Sequence, residues 1–224
     1  MPETIKKTYI REIFSSIQGE GPYVGQKQAF VRFCRCNLNC EFCDTDFLIK
    51  NAKLFSTKDL FLALEKLDFE AISFTGGEPL LEVDFLKEFL TKYKEKLGKK
   101  IYLETNGTLY KNLEEIIDLV DIVAMDIKIE SATKEENKFK ENEEFLKIAS
   151  KKEVFIKVVF GENILDEEIE TISKICSIQN SLLILQPKMP MDKGLKLEEI
   201  FEKFYKLHKN TRLIPQVHKF LNLM

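Results

Sequence analysis

Cys36-Asn37-Leu38-Asn39-Cys40-Glu41-Phe42-Cys43 sets three thiols within eight residues, just after the apolar run Ala29-Phe30-Val31-Arg32-Phe33. A strand that ends in three closely spaced cysteines delivers soft ligands onto one short arc. A closed zinc site asks for a fourth ligand, and none stands at metal-ligand spacing nearby. A 4Fe–4S cluster usually takes four cysteines. With three, one iron keeps an open position, where a small chelating ligand can bind and receive an electron. Intracellular cysteines at such tight spacing are more often metal-binding or catalytic than structural. The plainer alternatives are a metal-free cysteine loop and a zinc knuckle with a distant fourth ligand. Cys34 is read as a neighbour of the site and not as a ligand, and Cys176, in a helical pattern, as a small buried hydrophobe.

Around this stretch the chain alternates. Further short apolar runs fall at 70–74, 100–104, 121–126, 153–159, 182–185 and 211–214. Between them lie segments of helical period. Ser56 or Thr57 caps one that carries Leu60, Leu62 and Leu64 and leads into Leu67, and another runs over Phe85, Leu86, Phe89, Leu90 and Tyr93 to a stop near Gly98. Others are expected around 111–119, 137–149, 166–178 and 196–208. Strands that are apolar throughout and alternate with helices predict parallel pairing with the helices outside. About six such units are too few for a closed eight-stranded barrel. The expected fold is therefore α/β, an open, partial (β/α)6 barrel of parallel strands with its site at their C-terminal ends. Without an internal repeat, low-complexity tract or Pro/Gly-rich linker, residues 1–224 are expected to form a single domain.

Composition narrows the function classes. The 224 residues are 44% hydrophobic and 32% charged, ordinary for a globular protein, and the net charge is −3. That balance gives no electrostatic case for nucleic acid, because the lysines are interleaved with glutamates. No apolar run reaches membrane-spanning length, and the N-terminus lacks a signal peptide's apolar core. Five cysteines, three in one loop, fit a reducing cytoplasm better than a disulfide framework.

The remaining chemistry sits at predicted strand ends. Thr75-Gly76-Gly77-Glu78-Pro79 offers close backbone approach to a ligand and free N–H groups to bind it, and Pro79 can open the next helix. Glu104, in Glu104-Thr105-Asn106-Gly107-Thr108, ends an apolar strand, where a buried carboxylate needs a partner such as the N–H edge of a heterocycle. Asp126-Ile127-Lys128 puts an acid and a base on one face of an extended segment, with a plain ion pair as the alternative. Gln186-Pro187 closes the sixth strand, and Arg212 to Lys219 follows the seventh. Gln18-Gly19-Glu20-Gly21 by itself reads first as an ordinary loop and otherwise as a flexible turn able to wrap a ligand. Cys43-Asp44-Thr45 adds oxygen donors suited to Mg2+, with a plain exposed hydroxyl after a turn as the alternative for Thr45.

CxxxCxxC together with Gly-Gly-Glu-Pro resembles the radical S-adenosylmethionine (SAM) superfamily. The ordered set of Ile17–Gly21, Phe30–Phe33, Cys36–Thr45, Thr75–Pro79, Glu104–Thr108 and Pro215-Gln216-Val217-His218-Lys219 resembles the 7-carboxy-7-deazaguanine synthase family, from about Glu12 to the C-terminus. That resemblance implies a homodimer using SAM, a 4Fe–4S cluster and Mg2+, with an electron donor such as flavodoxin or ferredoxin. The implied reaction turns 6-carboxy-5,6,7,8-tetrahydropterin into 7-carboxy-7-deazaguanine with loss of ammonia, on the way to queuosine. It implies that Cys36, Cys40 and Cys43, in a cluster loop near 34–47, hold three irons. It implies SAM contacts from Gly76, Gly77, Glu78, Asp126, Ile127 and Lys128, and from Gln186, Pro187, Lys188 and Met189. Thr45 would hold Mg2+. The pterin would be framed by Ile17, Gln18 and Gly19, by Arg32, Thr75 and Glu104, and by His218 and Met224 in a capping tail, 212–224. Arg35 and Cys34 depart from the family pattern, which commonly has Gly before the first cluster cysteine. A glycyl-radical-activating enzyme shares CxxxCxxC and Gly-Gly-Glu but not the paired terminal motifs. A non-catalytic iron–sulfur or zinc interaction module would need no polar groups at the strand ends.

Overall fold

The computed structural model describes residues 5–223 except 42, 44–48 and 192. Its strands are β1 (Lys7–Ile17), β2 (Lys27–Phe33), β3 (Lys53–Ser56), β4 (Ala71–Gly76), β5 (Lys100–Thr105), β6 (Ile122–Ile127), β7 (Glu153–Phe160), β8 (Leu182–Pro187) and β9 (Thr211–Leu213). The helices are α1 (Thr57–Leu64), α2 (Val83–Leu97), α3 (Tyr110–Glu114), α4 (Glu130–Thr133), α5 (Phe139–Ala149), α6 (Asp166–Ile178), α7 (Leu197–Leu207) and α8 (Val217–Leu221). All nine strands form one sheet in the order β3-β1-β2-β4-β5-β6-β7-β8-β9. From β2 through β9 the neighbours are parallel. The seven apolar runs of the sequence become these seven strands.

The period of two sorts the side chains by face. Ile72, Phe74, Ile101, Leu103, Val123, Met125, Ile156 and Val158 belong to the main core, with Phe85 and Phe89 of α2, Phe145 of α5, Ile172 of α6 and Phe204 of α7. Each such side chain taken from water contributes roughly 1.5–3 kcal/mol. The opposite face starts apolar, in a small cluster of Tyr102, Ile122, Ala124, Phe155 and Ile184. Two residues further along the same strands it turns polar at Glu104, Asp126, Lys157 and Gln186. The inner face therefore carries its charge in the C-terminal halves of the strands. No helix among the described residues is long and apolar enough to cross a membrane.

The structure adds two antiparallel strands that the sequence expectation omitted. β1 pairs with β2 and β3 pairs with β1. β1 presents no continuous apolar run because, of its apolar residues, only Ile10 is fully buried, and β3 is four residues long. The helix expected over 111–119 is divided into α3 and a 3-10 turn at Ile117–Leu119. The two best-signalled helix ends are as read. Ser56 caps α1 in a reciprocal box with Asp59, and α2 stops at Gly98 with φ +59°. Ser56→Ala removes that box at a cost of about 1 kcal/mol. A Tm lower by roughly 2–4 °C in a thermal melt is the expected result for a chain of this size.

Candidate functional site

A cavity of about 210 Å³ opens on the inner face of the sheet. Its walls bring together Cys36, Cys40 and Cys43 with Arg32, Thr75, Gly76, Gly77, Glu104, Asp126 and Lys128 from the ends of β2, β4, β5 and β6. Ile17, Gln18, Gly19 and Glu20 complete it from the loop between β1 and β2, and Gln216, His218 and Lys219 from the segment after β9. The 18–20 loop joins β2 at the end opposite the cluster loop, so one wall comes from outside the expected C-terminal rim.

The cluster loop and the Gly-Gly turn interlock through backbone. Gly77 N–H donates to Phe33 O at 3.0 Å and Glu78 N–H to Arg35 O at 2.6 Å. A Cβ on Gly77 would stand 1.9 Å from the Arg35 carbonyl oxygen, so only glycine permits the approach. The Glu78 side chain is fully buried and accepts from Leu80 N–H, Thr105 Oγ1 and Asn106 N–H at 2.8–3.1 Å. Burial pushes its carboxyl up to about 7 against those three donors. Arg35 turns outward to Glu82, 2.5 Å away, and Cys34 is buried outside the cavity wall.

Leu38 N–H lies 3.5 Å from Cys36 Sγ and Asn106 Nδ2 lies 4.0 Å from it, both placed to donate. Burial pushes the Cys36 thiol up and holds Cys40 at about 11. Among the described residues no group of three or more His, Cys, Asp or Glu side chains converges as a single metal ion requires. The three thiols line one cavity from separate positions, and a cubane takes one thiolate on each of three irons. The donor set fits a cluster.

Glu104 is held from three sides. Gln18 Nε2 and Ser73 Oγ donate to one oxygen at 2.9 and 2.8 Å, and Thr75 Oγ1 donates to the other at 3.1 Å. Gln18 Nε2 also reaches Gln28 Oε1 at 3.2 Å, and Gln28 Nε2 donates to Gln26 Oε1, which sets the direction of every amide. Arg32 lies over the Phe14 ring and 3.6 Å from Glu12.

Beside Glu104 lies a charge cluster. Asp126 Oδ2 pairs with Lys128 at 2.8 Å and Lys157 at 2.9 Å, and Lys157 also pairs with Glu20. Burial opposes charge on Lys157, yet Asp126, Glu20 and Glu104 hold it above the ordinary lysine range. Burial also opposes ionisation of Glu20, but Lys157, Gln216 and His218 outweigh it and bring the carboxyl down to about 2. Asp126 Oδ1 and both polar atoms of Gln186 are buried without a hydrogen-bond partner, as atoms meant for a polar ligand would be.

Several expected residues stand elsewhere. Glu78 and Ile127 turn into the fold, away from the cavity wall, while Gln186 and Pro187 are the last residues of β8, beside Val159 and Phe160, and Lys188 and Met189 follow them; none of these four lines the cavity. Thr45 and Met224 lie outside the described residues, as does Asp44. Lys157, Ser73 and Gln28 were absent from the sequence reading. Each sits inside an otherwise apolar strand, where period two alone signals an inward polar group.

Residues 30–176 match the family model described as the Radical SAM superfamily. The chain is 35% identical to the 7-carboxy-7-deazaguanine synthase of Geobacter sulfurreducens over 95% of its own length and 96% of the relative's. It is also 35% identical to that of Methanocaldococcus jannaschii, over 96% and 100%. Among solved structures, QueE from Escherichia coli superposes with a TM-score of 0.65 at 21% identity, covering 95% of each chain, a likeness of fold.

The Glu20 carboxyl titrates lower in the fold than the ordinary value of 4.5, so its ionisation stabilises the fold above that pH. The contribution drains as pH falls from 4.5 towards 2. Acid titration followed by circular dichroism should show wild type losing stability more steeply across that window than Glu20→Gln; equal slopes would contradict the assignment.

Proposed function

The chain belongs to the 7-carboxy-7-deazaguanine synthase family of the radical SAM superfamily, and from that membership we propose how its cavity serves the reaction. The enzyme is a radical SAM lyase that converts 6-carboxy-5,6,7,8-tetrahydropterin to 7-carboxy-7-deazaguanine with loss of ammonia, in 7-deazapurine biosynthesis. The observation that carries the site assignment is the meeting of three cluster cysteines with Arg32, Thr75 and Glu104 in one small cavity. When bound, the 4Fe–4S cluster and SAM supply the one-electron chemistry that removes a hydrogen atom from carbon.

Everything else falls to the chain. Cys36, Cys40 and Cys43 would hold three irons, with the Leu38 backbone N–H and the Asn106 side-chain amide Nδ2 directed at Cys36 Sγ. The Gly77 and Glu78 N–H groups, expected to be free for a ligand, are spent on Phe33 at the end of β2 and on Arg35 in the cluster loop. An ammonium is a donor, so the carbonyls of Gly76 and Gly77 would be what the methionine end of SAM meets. Asp126 Oδ1 and the Gln186 amide, both without partners, would take its remaining polar groups together with Lys128, and Pro187, Lys188 and Met189 would follow from the end of β8. Ile127 contributes backbone only, because its side chain is in the main core. Glu78 acts by holding the Asn106 N–H.

Arg32 presents a planar fork to the substrate carboxylate. Glu104 accepts from the pterin amine and ring N–H, with Thr75 alongside. Ile17, Gln18, Gly19 and His218 close over the ring and keep water from the reacting carbon. Mg2+ at Thr45, a single domain, a homodimer, flavodoxin or ferredoxin as donor and a cytoplasmic location complete the reading. A cavity of about 210 Å³ favours a small substrate over the protein partner of a glycyl-radical-activating enzyme.

Anaerobic reconstitution with SAM, reductant, Mg2+ and 6-carboxytetrahydropterin, followed by mass spectrometry, should yield 7-carboxy-7-deazaguanine, and Cys40→Ala should abolish it. Glu104→Gln should cut kcat/KM by about 10- to 100-fold, the worth of one charge-assisted hydrogen bond. Formation of 5′-deoxyadenosine without product would leave the radical site standing and overturn the substrate assignment.

A further inference from the structure

Lys157 projects from the inner face of β7 with 9% of its surface exposed, and its ammonium joins two parts of the site that share no other direct ion pair among the described residues. On one side is Asp126 Oδ2, 2.9 Å away, which also holds Lys128 at 2.8 Å. On the other is the Glu20 carboxylate, in direct contact. The second oxygen of Glu20 accepts from Gln216 Nε2 at 2.8 Å. Val217 N–H donates to Gly19 O at 2.9 Å, and a Cβ on Gly19 would meet His218 at 2.5 Å, so loop and C-terminal segment are packed as one body. Glu20 N–H donates to Gln18 Oε1 at 3.0 Å, and Gln18 leads on to Glu104.

We propose that Lys157 is a positioning residue that couples the two ligand sites, so that SAM and the pterin bind with positive cooperativity. The inference rests on the preceding reading, in which Asp126 and Lys128 face SAM and the loop from Ile17 to Gly19 faces the pterin. Asp126 offers one oxygen to two ammonium groups and keeps the other unpartnered. A ligand that engages the free oxygen fixes the carboxylate, and with it the direction in which Lys157 holds Glu20. The loop and the Gln216–His218 segment are then already ordered when the pterin arrives, which lowers the ordering cost of the second ligand. The coupling is reciprocal: pterin held under the loop keeps Glu20 on Lys157 and sets Asp126 for SAM.

The test is equilibrium binding to the cluster-loaded protein under anaerobic conditions without reductant, so that no turnover occurs. Saturating pterin should tighten SAM binding to wild type about fivefold or more. In Lys157→Met and in Glu20→Gln the same ratio should fall below twofold while cluster content is unchanged. Glu20→Gln is nearly isosteric and decides the matter if Lys157→Met fails to fold. A readout free of both ligands is amide hydrogen exchange, which should speed up at Glu20 and Val217 in the variants and stay unchanged in α2. A ratio that survives both substitutions, or a wild-type ratio near one with both ligands bound, overturns the coupling alone. A wild-type protein that binds neither ligand overturns the site assignment and the coupling with it.

Discussion

Backbone against backbone is the tightest contact in the site, and the other parts take their positions from it. Gly77 lies so close to the Arg35 carbonyl that no side chain fits between them, and two N–H groups bind the turn to the end of β2 and to the cluster loop that follows it. The contact fixes where the three thiols stand relative to the end of β4. Glu78 extends it sideways by gripping Thr105 and Asn106 at the end of β5. Asn106 returns to the cluster loop through Asn37 Oδ1 at 2.8 Å and Cys36 Sγ. Three strand ends are thereby joined into one rigid ring. A cluster site needs such a frame, because its ligands belong to different irons and no single ion draws them together.

Much of the fold was legible because its strongest physical demand, covering both faces of a parallel sheet, leaves an unmistakable pattern. Runs such as Ala71–Phe74 and Phe155–Phe160 are apolar but for one residue each, Ser73 and Lys157, and α2 shows its stripe and its glycine stop. β1 and β3 escaped for the converse reason. They form the antiparallel edge, where a strand can keep Lys7 and Tyr9 in solvent. The division of the 111–119 helix was also hidden, since Ile116 and Ile117 are core residues in either conformation.

The site was legible where chemistry requires rare residues at short spacing: three cysteines, two glycines, a carboxylate ending an apolar run. It was illegible where function depends on which chain segments meet. Lys157 sits in Glu153-Val-Phe-Ile-Lys-Val-Val-Phe160, an outwardly ordinary strand, and only its neighbours Asp126 and Glu20, distant in sequence, reveal its place. Gln28 and Ser73 are likewise defined by Glu104. The Gly-Gly turn taught the opposite lesson. Its glycines were singled out correctly, but their N–H groups serve the protein and their missing Cβ atoms serve the cluster loop.

Among the described residues the sheet has two free edges, β3 and β9, and no ladder joins them. What spans the unclosed side is the contact of Gln216 and Val217 with Glu20 and Gly19. A barrel sealed by a ladder must be unzipped residue by residue before anything enters from the side. One held by a clasp of a few hydrogen bonds can be unfastened with every strand left in register. Closure is thus separated from architecture: the seam that completes the wall rests on a few hydrogen bonds, while the frame around the cysteines rests on the sheet and its strand ends.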